Sequence, residues 1–345
     1  MLCASTVKTP SKPSSSRGLH FDKSSYSLRS SPQDGPSARI IPTQGTGLKI
    51  RLWGTRGSIP TPSTHSFVTA KYGGDTTCVS IESEDTLLVI DGGSGLRLLG
   101  LELARRRTPV EATFVFSHVH WDHIQGFPFF IPAFRKGNRF KLWGPRLTAD
   151  QGFVGSVLEK ALRGQQEDLN FPVQLKDMPA EMNFSDLEEN ACFELKGKTG
   201  FLRVQSHRLN HPGGCFGYRI EEHLPGHPVR VFAFATDTEH LNDLNPNVQK
   251  LIKDADLILY DAQYTDEEYE GRNEGGIPRH GWGHSTWGWG LKEGKAAGIK
   301  HLLLHHHDPL HDDSMVASLE AAAQEAGAKL GIRVHAAAQG AEYVI

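Results

Sequence analysis

Four candidate metal ligands fall within six residues in the segment FSHVHWDHIQG (116–126): His118, His120, Asp122 and His123. Side chains this closely spaced cannot all share one face of a strand or a helix, so they suit a tight loop where they converge on a point. The segment follows the apolar run ATFVF, and the ends of buried strands are where layered α/β sheets build their sites. Imidazole and carboxylate are good ligands for zinc, manganese or iron. The four cysteines, Cys3, Cys78, Cys192 and Cys215, are scattered and form no C-x-x-C pair. Neither a thiolate zinc site nor a disulfide framework is therefore expected, and a reducing compartment fits best. Any bound metal has to be held by the 18 histidines and by carboxylates.

The order H-x-H-x-D-H resembles the signature of the metallo-β-lactamase superfamily of binuclear hydrolases, and further elements of that family follow in sequence. IDGGSG carries Asp91, NHPGGCFGYRI carries His211, FATDTEH carries Asp237, and HLLLHHHDP carries a final histidine. The resemblance implies that His118, His120 and His211 hold one metal. It implies that Asp122, His123 and the final histidine hold a second, with Asp237 bridging the two. Asp122 then serves catalysis as well as ligation. The final histidine is His305, His306 or His307; the spacing seen in related phosphodiesterases selects His306. Asp91 reads either as support beneath the metals or as a turn cap. Two divalent cations are implied, with zinc expected and manganese or iron as alternatives. Cations about 3.5–4 Å apart lower the pKa of a water between them and can hold both oxygens of an in-line displacement.

Two features point toward phosphodiesters. GHSTWGWGLKEGKAAGIKHLLLHHHDP (283–309) resembles the C-terminal motif of ribonuclease Z and related phosphodiesterases, which makes His284 the expected general acid. Asp261, in LILYDAQYT, stands where those relatives carry the acidic partner of that histidine. The transfer-RNA-processing enzymes carry a long arm between the third ligand and the bridging aspartate, whereas His211 and Asp237 are 26 positions apart here. A compact enzyme acting on a cyclic nucleotide or another small phosphodiester is therefore the expected function. A transfer-RNA 3′-end endoribonuclease, a lactonase or thioesterase, and a non-catalytic metal-binding sensor are the alternatives. Trp121, Trp282, Trp287 and Trp289 are candidates for base stacking, although packing is the commoner role of tryptophan. The Gly-rich segment 264–284 reads as a lid, an exchanged loop or a plain connection.

The elements that must position these residues alternate. Strands are expected at LKIRLW, TCVSIE, TLLVID, ATFVFS, RFKLWG, FLRVQS, FGYRI, RVFAFAT, LILYDA and HLLLHH, each a short apolar run bounded by Gly, Asp or Pro. Helices are expected near 94–106, 123–134, 150–163, 242–253, 285–298 and 312–327. This pattern predicts a layered α/β domain, and the family resemblance specifies a four-layer αββα sandwich over residues 47–345.

Residues 1–46 hold 11 serines, 5 prolines and only 2 acidic residues, so a disordered tail is expected there. That composition also matches an organelle transit peptide. With 37 basic and 40 acidic residues the net charge is −3, which excludes a chain that is basic all over and makes a long nucleic acid the less suitable partner. No run of 18 apolar residues is present, so no membrane helix is expected. A cytoplasmic location follows from these readings, and the resemblance implies a homodimer.

Overall fold

The computed structural model describes residues 47–146, 156–272 and 276–345. The expected tail, and the first residues of the helix expected over 150–163, lie outside the described residues. One sheet contains β1 (Lys49–Gly54), β2 (Cys78–Ser83), β3 (Thr86–Ile90), β4 (Glu111–Val115), β5 (Arg139–Pro145) and β6 (Glu181–Leu187). The second contains β7 (Cys192–Lys196), β8 (Phe201–Leu209), β9 (Cys215–His223), β10 (Arg230–Ala235), β11 (Leu257–Asp261), β12 (His301–His305) and β13 (Arg333–Ala336). The last strand, β14 (Glu342–Val344), returns to the edge of the first sheet, giving the order β14-β1-β2-β3-β4-β5-β6. The second sheet runs β13-β12-β11-β10-β9-β8-β7.

Both sheets share one pairing plan, although the sequence shows no repeat. From β14 to β3 the pairs are antiparallel, and from β3 to β6 they are parallel. From β7 to β10 the pairs are antiparallel, and from β10 to β13 they are parallel. The strand at each changeover, β3 or β10, ends beside the site.

Alternation along the strands separates three apolar layers. Leu87 and Val89 of β3 face α1 (Leu96–Ala104) and α3 (Val157–Gln165), whereas Leu88 and Ile90 face the opposite sheet. In β11, Leu257 and Leu259 face the inter-sheet layer, and Ile258 and Tyr260 face outward. That outer layer is covered by α4 (Pro246–Ile252), α6 (Trp287–Ala297) and α7 (Asp313–Leu330). The result is the expected αββα sandwich. No helix among the described residues is long and apolar enough to cross a membrane.

One predicted helix does not form. Over 123–134 the chain makes only the end of α2 (Trp121–Ile124) and two 3₁₀ turns, Phe127–Phe129 and Ile131–Phe134. Pro128 and Pro132 lack the backbone donors that a continuous helix would need. The turns instead place Phe127 and Phe130 against Phe114, whose ring meets Phe116 and Phe140 as well. Phe114 is wholly buried. Phe114→Ala should lower unfolding free energy by about 3–5 kcal/mol, as read by denaturant titration; a loss under about 1 kcal/mol would mean that this cluster does not hold the first helical layer in place.

Candidate metal centre

The loop after β4 brings His118, His120, Asp122 and His123 to the edge shared by the two sheets. Donor atoms of His118, His120 and His211 all lie within 4.8 Å of one another, and so do those of Asp122, His123, Asp237 and His306. Asp237 Oδ1 lies 3.9 Å from His118 Nε2, 3.3 Å from His123 Nε2 and 3.2 Å from His306 Nε2, so it stands between the two groups. Asp122 Oδ2 is 3.2 Å from both His123 Nε2 and His306 Nε2. His120 turns its Nδ1 inward, 3.1 Å from His211 Nε2. All seven predicted ligands are thus brought together.

The three consecutive histidines separate cleanly. His305 keeps the alternation of β12 and points between the sheets, with Nδ1 3.3 Å from Thr236 Oγ1 and Nε2 3.4 Å from Gly54 O. His307 turns away, its Nε2 2.8 Å from Ala337 O. His306 adopts a left-handed backbone, φ 64°, and that break in the strand aims its ring at Asp122 and Asp237. Asp91 (φ 60°), Asp237 (φ 59°) and Ser58 (φ 63°) share this uncommon conformation at the same site. The neighbouring glycines leave the necessary room. A Cβ on Gly57 would stand 2.3 Å from His306 Nδ1, and one on Gly283 would stand 2.2 Å from His211 Nδ1.

A second layer of groups fixes four of the five histidine rings. His118 Nδ1 meets Ser117 Oγ at 3.0 Å, and His123 Nδ1 meets Asp91 Oδ2 at 2.8 Å. His211 Nδ1 meets Gly283 O at 2.9 Å, and His306 Nδ1 meets Gln263 Oε1 at 2.8 Å. In each case Nε2 is left for the centre, as histidine ligands generally require. Asp91 also accepts from the backbone N–H and the hydroxyl of Ser117, 2.7 Å each, so it holds His123 as well as closing its turn. Ser58 donates its backbone N–H to Asp122 Oδ2 at 2.8 Å. Glu239 accepts from the backbone N–H groups of Gly281 and Gly283 and from the Tyr269 hydroxyl, and so pins the loop that supports His211. Sequence reading missed Ser58, Ser117, Glu239 and Gln263, because single polar residues carry no spacing signal.

The donor set fits a pair of divalent cations. His118 Nε2, His123 Nε2 and Asp237 Oδ2 are buried and lack a hydrogen-bond partner. Leaving three such atoms unmatched is costly, and cations held by the two groups would satisfy all three. Burial, reinforced by His123, holds His118 well below the usual imidazole range, and burial brings His211 down to about 4, so both present neutral nitrogen. Burial opposes ionisation of Asp122 and Asp237, yet the imidazoles beside them, His123 first, hold both well below the usual carboxylate range. Burial likewise opposes charge on His306, but Asp237 and Asp122 push it up to about 9.

His284 and Asp261 sit on this centre. His284 Nδ1 is 2.8 Å from Asp261 Oδ2, and its ring stacks on His306 at 4.7 Å between centroids. Asp261 is fully buried and also accepts the backbone N–H groups of Asp237, Thr238, Gln263 and Ser285. A cleft of about 350 Å³ opens beside His284, lined by Ser58, Gln263, Tyr264, Arg279, Trp282 and Asp308 among others. Of the four tryptophans singled out, Trp282 lines this cleft, whereas Trp287 packs on the outer core and Trp289 stacks on His240. Trp121 is 80% exposed on the metal loop. The described part of segment 264–284 is anchored, with α5 (Asp266–Tyr269) closed by a Thr265–Glu268 capping box.

A model of the β-lactamase superfamily domain matches residues 86–307. The chain belongs to this superfamily of metal-dependent hydrolases. A ribonuclease Z of Ligilactobacillus salivarius (strain UCC118) is 25% identical over 284 residues, covering 69% of this chain and 81% of its own length. The crystal structure of YhfI, a metallo-β-lactamase fold protein from Bacillus subtilis, superposes with a TM-score of 0.59 at 16% identity, covering 87% of this chain and 99% of YhfI. A diphosphatase of the PhnP family superposes at 0.57 and 16% identity, covering 86% of this chain and 98% of its own. These likenesses establish the metallo-β-lactamase fold for this superfamily member.

Two outcomes follow for metal binding. Asp91→Ala should weaken it by about 10–100-fold, measured by competition with a chromophoric chelator, because His123 loses its orienting partner; unchanged affinity would make Asp91 a turn residue only. A cation must displace the proton from His306 below pH 9, so binding should release protons and tighten as pH rises toward 9. Calorimetry in two buffers of different ionisation enthalpy reads this release; identical heats would contradict it.

Proposed function

We propose that this superfamily member hydrolyses phosphodiesters, and that its substrate is a cyclic nucleotide or another small phosphodiester. The observation that carries the reading is His284. Its ring lies 4.7 Å from that of His306 and 5.2 Å from that of His211, and Asp261 holds its Nδ1. As the imidazolium, His284 can then deliver the proton of the opposite nitrogen to a departing alkoxide, the poor leaving group of a phosphodiester, and return to the neutral ring. Thioesters, whose thiolate departs easily, have less need of such a donor. Two cations held by the seven clustered ligands would supply an activated water and offset charge on the phosphoryl oxygens. Ser58, Asp91 and Gln263 hold the ligand side chains in place beforehand, so little reorganisation is left for the reaction itself.

Small substrates are supported by the path from His211 to Asp237. It contains only β9, β10 and the short turn 224–229, with no protruding arm. The likeness to a diphosphatase agrees with phosphoryl chemistry. Transfer-RNA 3′-end cleavage is the second reading, and the ribonuclease Z relative supports it.

A panel of cyclic and linear nucleotides, with a transfer-RNA precursor alongside, tests both readings on the zinc- or manganese-loaded protein. Faster turnover of a cyclic nucleotide is expected; cleavage of the precursor alone would favour the second reading. His284→Ala should cut turnover of alkyl diesters by about 10²–10⁴-fold and that of bis-p-nitrophenyl phosphate far less. Equal losses on both would remove the general-acid role.

A further inference from the structure

Arg279 lies in the cleft beside His284 and has no assigned task. Its guanidinium carbon is 4.6 Å from the centroid of Trp282 and 5.8 Å from that of Tyr264, so two aromatic rings flank it. The backbone is tied as well: Arg279 N–H donates to Tyr269 O at 2.9 Å, and Arg279 O accepts from Trp282 N at 3.1 Å. Its Nε is buried with no acceptor. The nearby carboxylates are engaged elsewhere. Glu268 meets His311, Glu270 meets His280, Glu239 accepts from Gly281 and Gly283, and Asp308 accepts from Gln263 and Leu310. A guanidinium seated over an indole still presents the planar fork of donors on its rim, and that fork matches a phosphoryl group.

We infer that Arg279 grips the anionic part of the substrate, its guanidinium donating to a phosphoryl oxygen in the cleft beside His284 while Trp282 fixes its orientation. The identity of the anion as part of a phosphodiester rests on the function proposed above; the anion site itself does not. Arg279 is a substrate-positioning residue, and its partner is a phosphoryl oxygen that the ligand brings.

The probe is inorganic phosphate, titrated calorimetrically into the metal-loaded full chain. Arg279→Gln should raise the dissociation constant at least tenfold with metal content unchanged. Arg279→Lys, which keeps the charge but not the fork, should raise it about threefold. Arg272→Gln removes an equal charge from the same segment outside this cleft and should change it less than twofold. On bis-p-nitrophenyl phosphate, Arg279→Gln should raise KM more than it lowers kcat. Phosphate binding within twofold of wild type in Arg279→Gln, or an equal loss in Arg272→Gln, would overturn the inference. Should Arg279→Gln not fold, wild-type affinity in Arg279→Lys overturns it instead. Wild-type protein that binds phosphate through Arg279 but cleaves no diester would defeat the phosphodiesterase reading and leave the anion site standing.

Discussion

Asp237 Oδ1 stands 3.2–3.9 Å from nitrogens of His306, His123 and His118, and most of the fold can be understood from what that proximity demands. The histidines come from the loop after β4 on one sheet and from the end of β12 on the other, so the two sheets must stack in a single register. The apolar layer between them supplies it, with Ile90 and Val115 on one side and Phe234, Leu259 and Leu303 on the other. Close packing transmits such a constraint because a sub-ångström slip is felt as overlap or void. At each changeover from antiparallel to parallel pairing the chain then ends in an aspartate of left-handed backbone, Asp91 after β3 and Asp237 after β10. A non-glycine residue in that conformation costs about 1–3 kcal/mol, and surrounding structure has to over-determine it. The same device serves two ends: Asp91 holds a ligand, whereas Asp237 is placed to be one.

Asp261 connects the two halves of the chemistry. One buried carboxylate accepts the backbone N–H of Asp237 and the ring of His284. The position of the central carboxylate and that of the proposed proton donor are therefore set by a single side chain at the end of β11. Any movement of that strand end displaces both together, so the central carboxylate and His284 keep their relative positions.

The cluster at 118–123 was legible because it is written in one dense motif, whereas His211 and Asp237 came from the family resemblance; the sheet centres were legible because strands such as LLVI and LILY are buried on both faces. What escaped the sequence has a common physical cause. The four unanticipated strands, β6, β7, β13 and β14, are the four sheet edges. Edge strands are half-exposed, and EMNFSDL or CFELK has no apolar run to betray it. The stretch 123–134 misled in the opposite way, its aromatic residues suggesting a helix that Pro128 and Pro132 forbid. Selecting His306 needed the relatives' spacing, since alternation along β12 alone places its neighbours just as plausibly. Arg279 and Trp282 lie three positions apart in a Gly-rich segment, and only the fold shows that their side chains meet.

The β9–β10 hairpin has a consequence for how function could be varied on this scaffold. β9 leaves the metal centre and runs nine residues before turning back. At about 3.3 Å per residue, the turn at 224–229 stands roughly 30 Å from the chemistry. It is a natural port for added sequence: an inserted module there would acquire its own ligand without disturbing a single metal-facing side chain. Recognition of bulky polymers and the proposed hydrolysis are thus separable traits in this architecture, one at the far rim of the second sheet and the other where the two sheets meet.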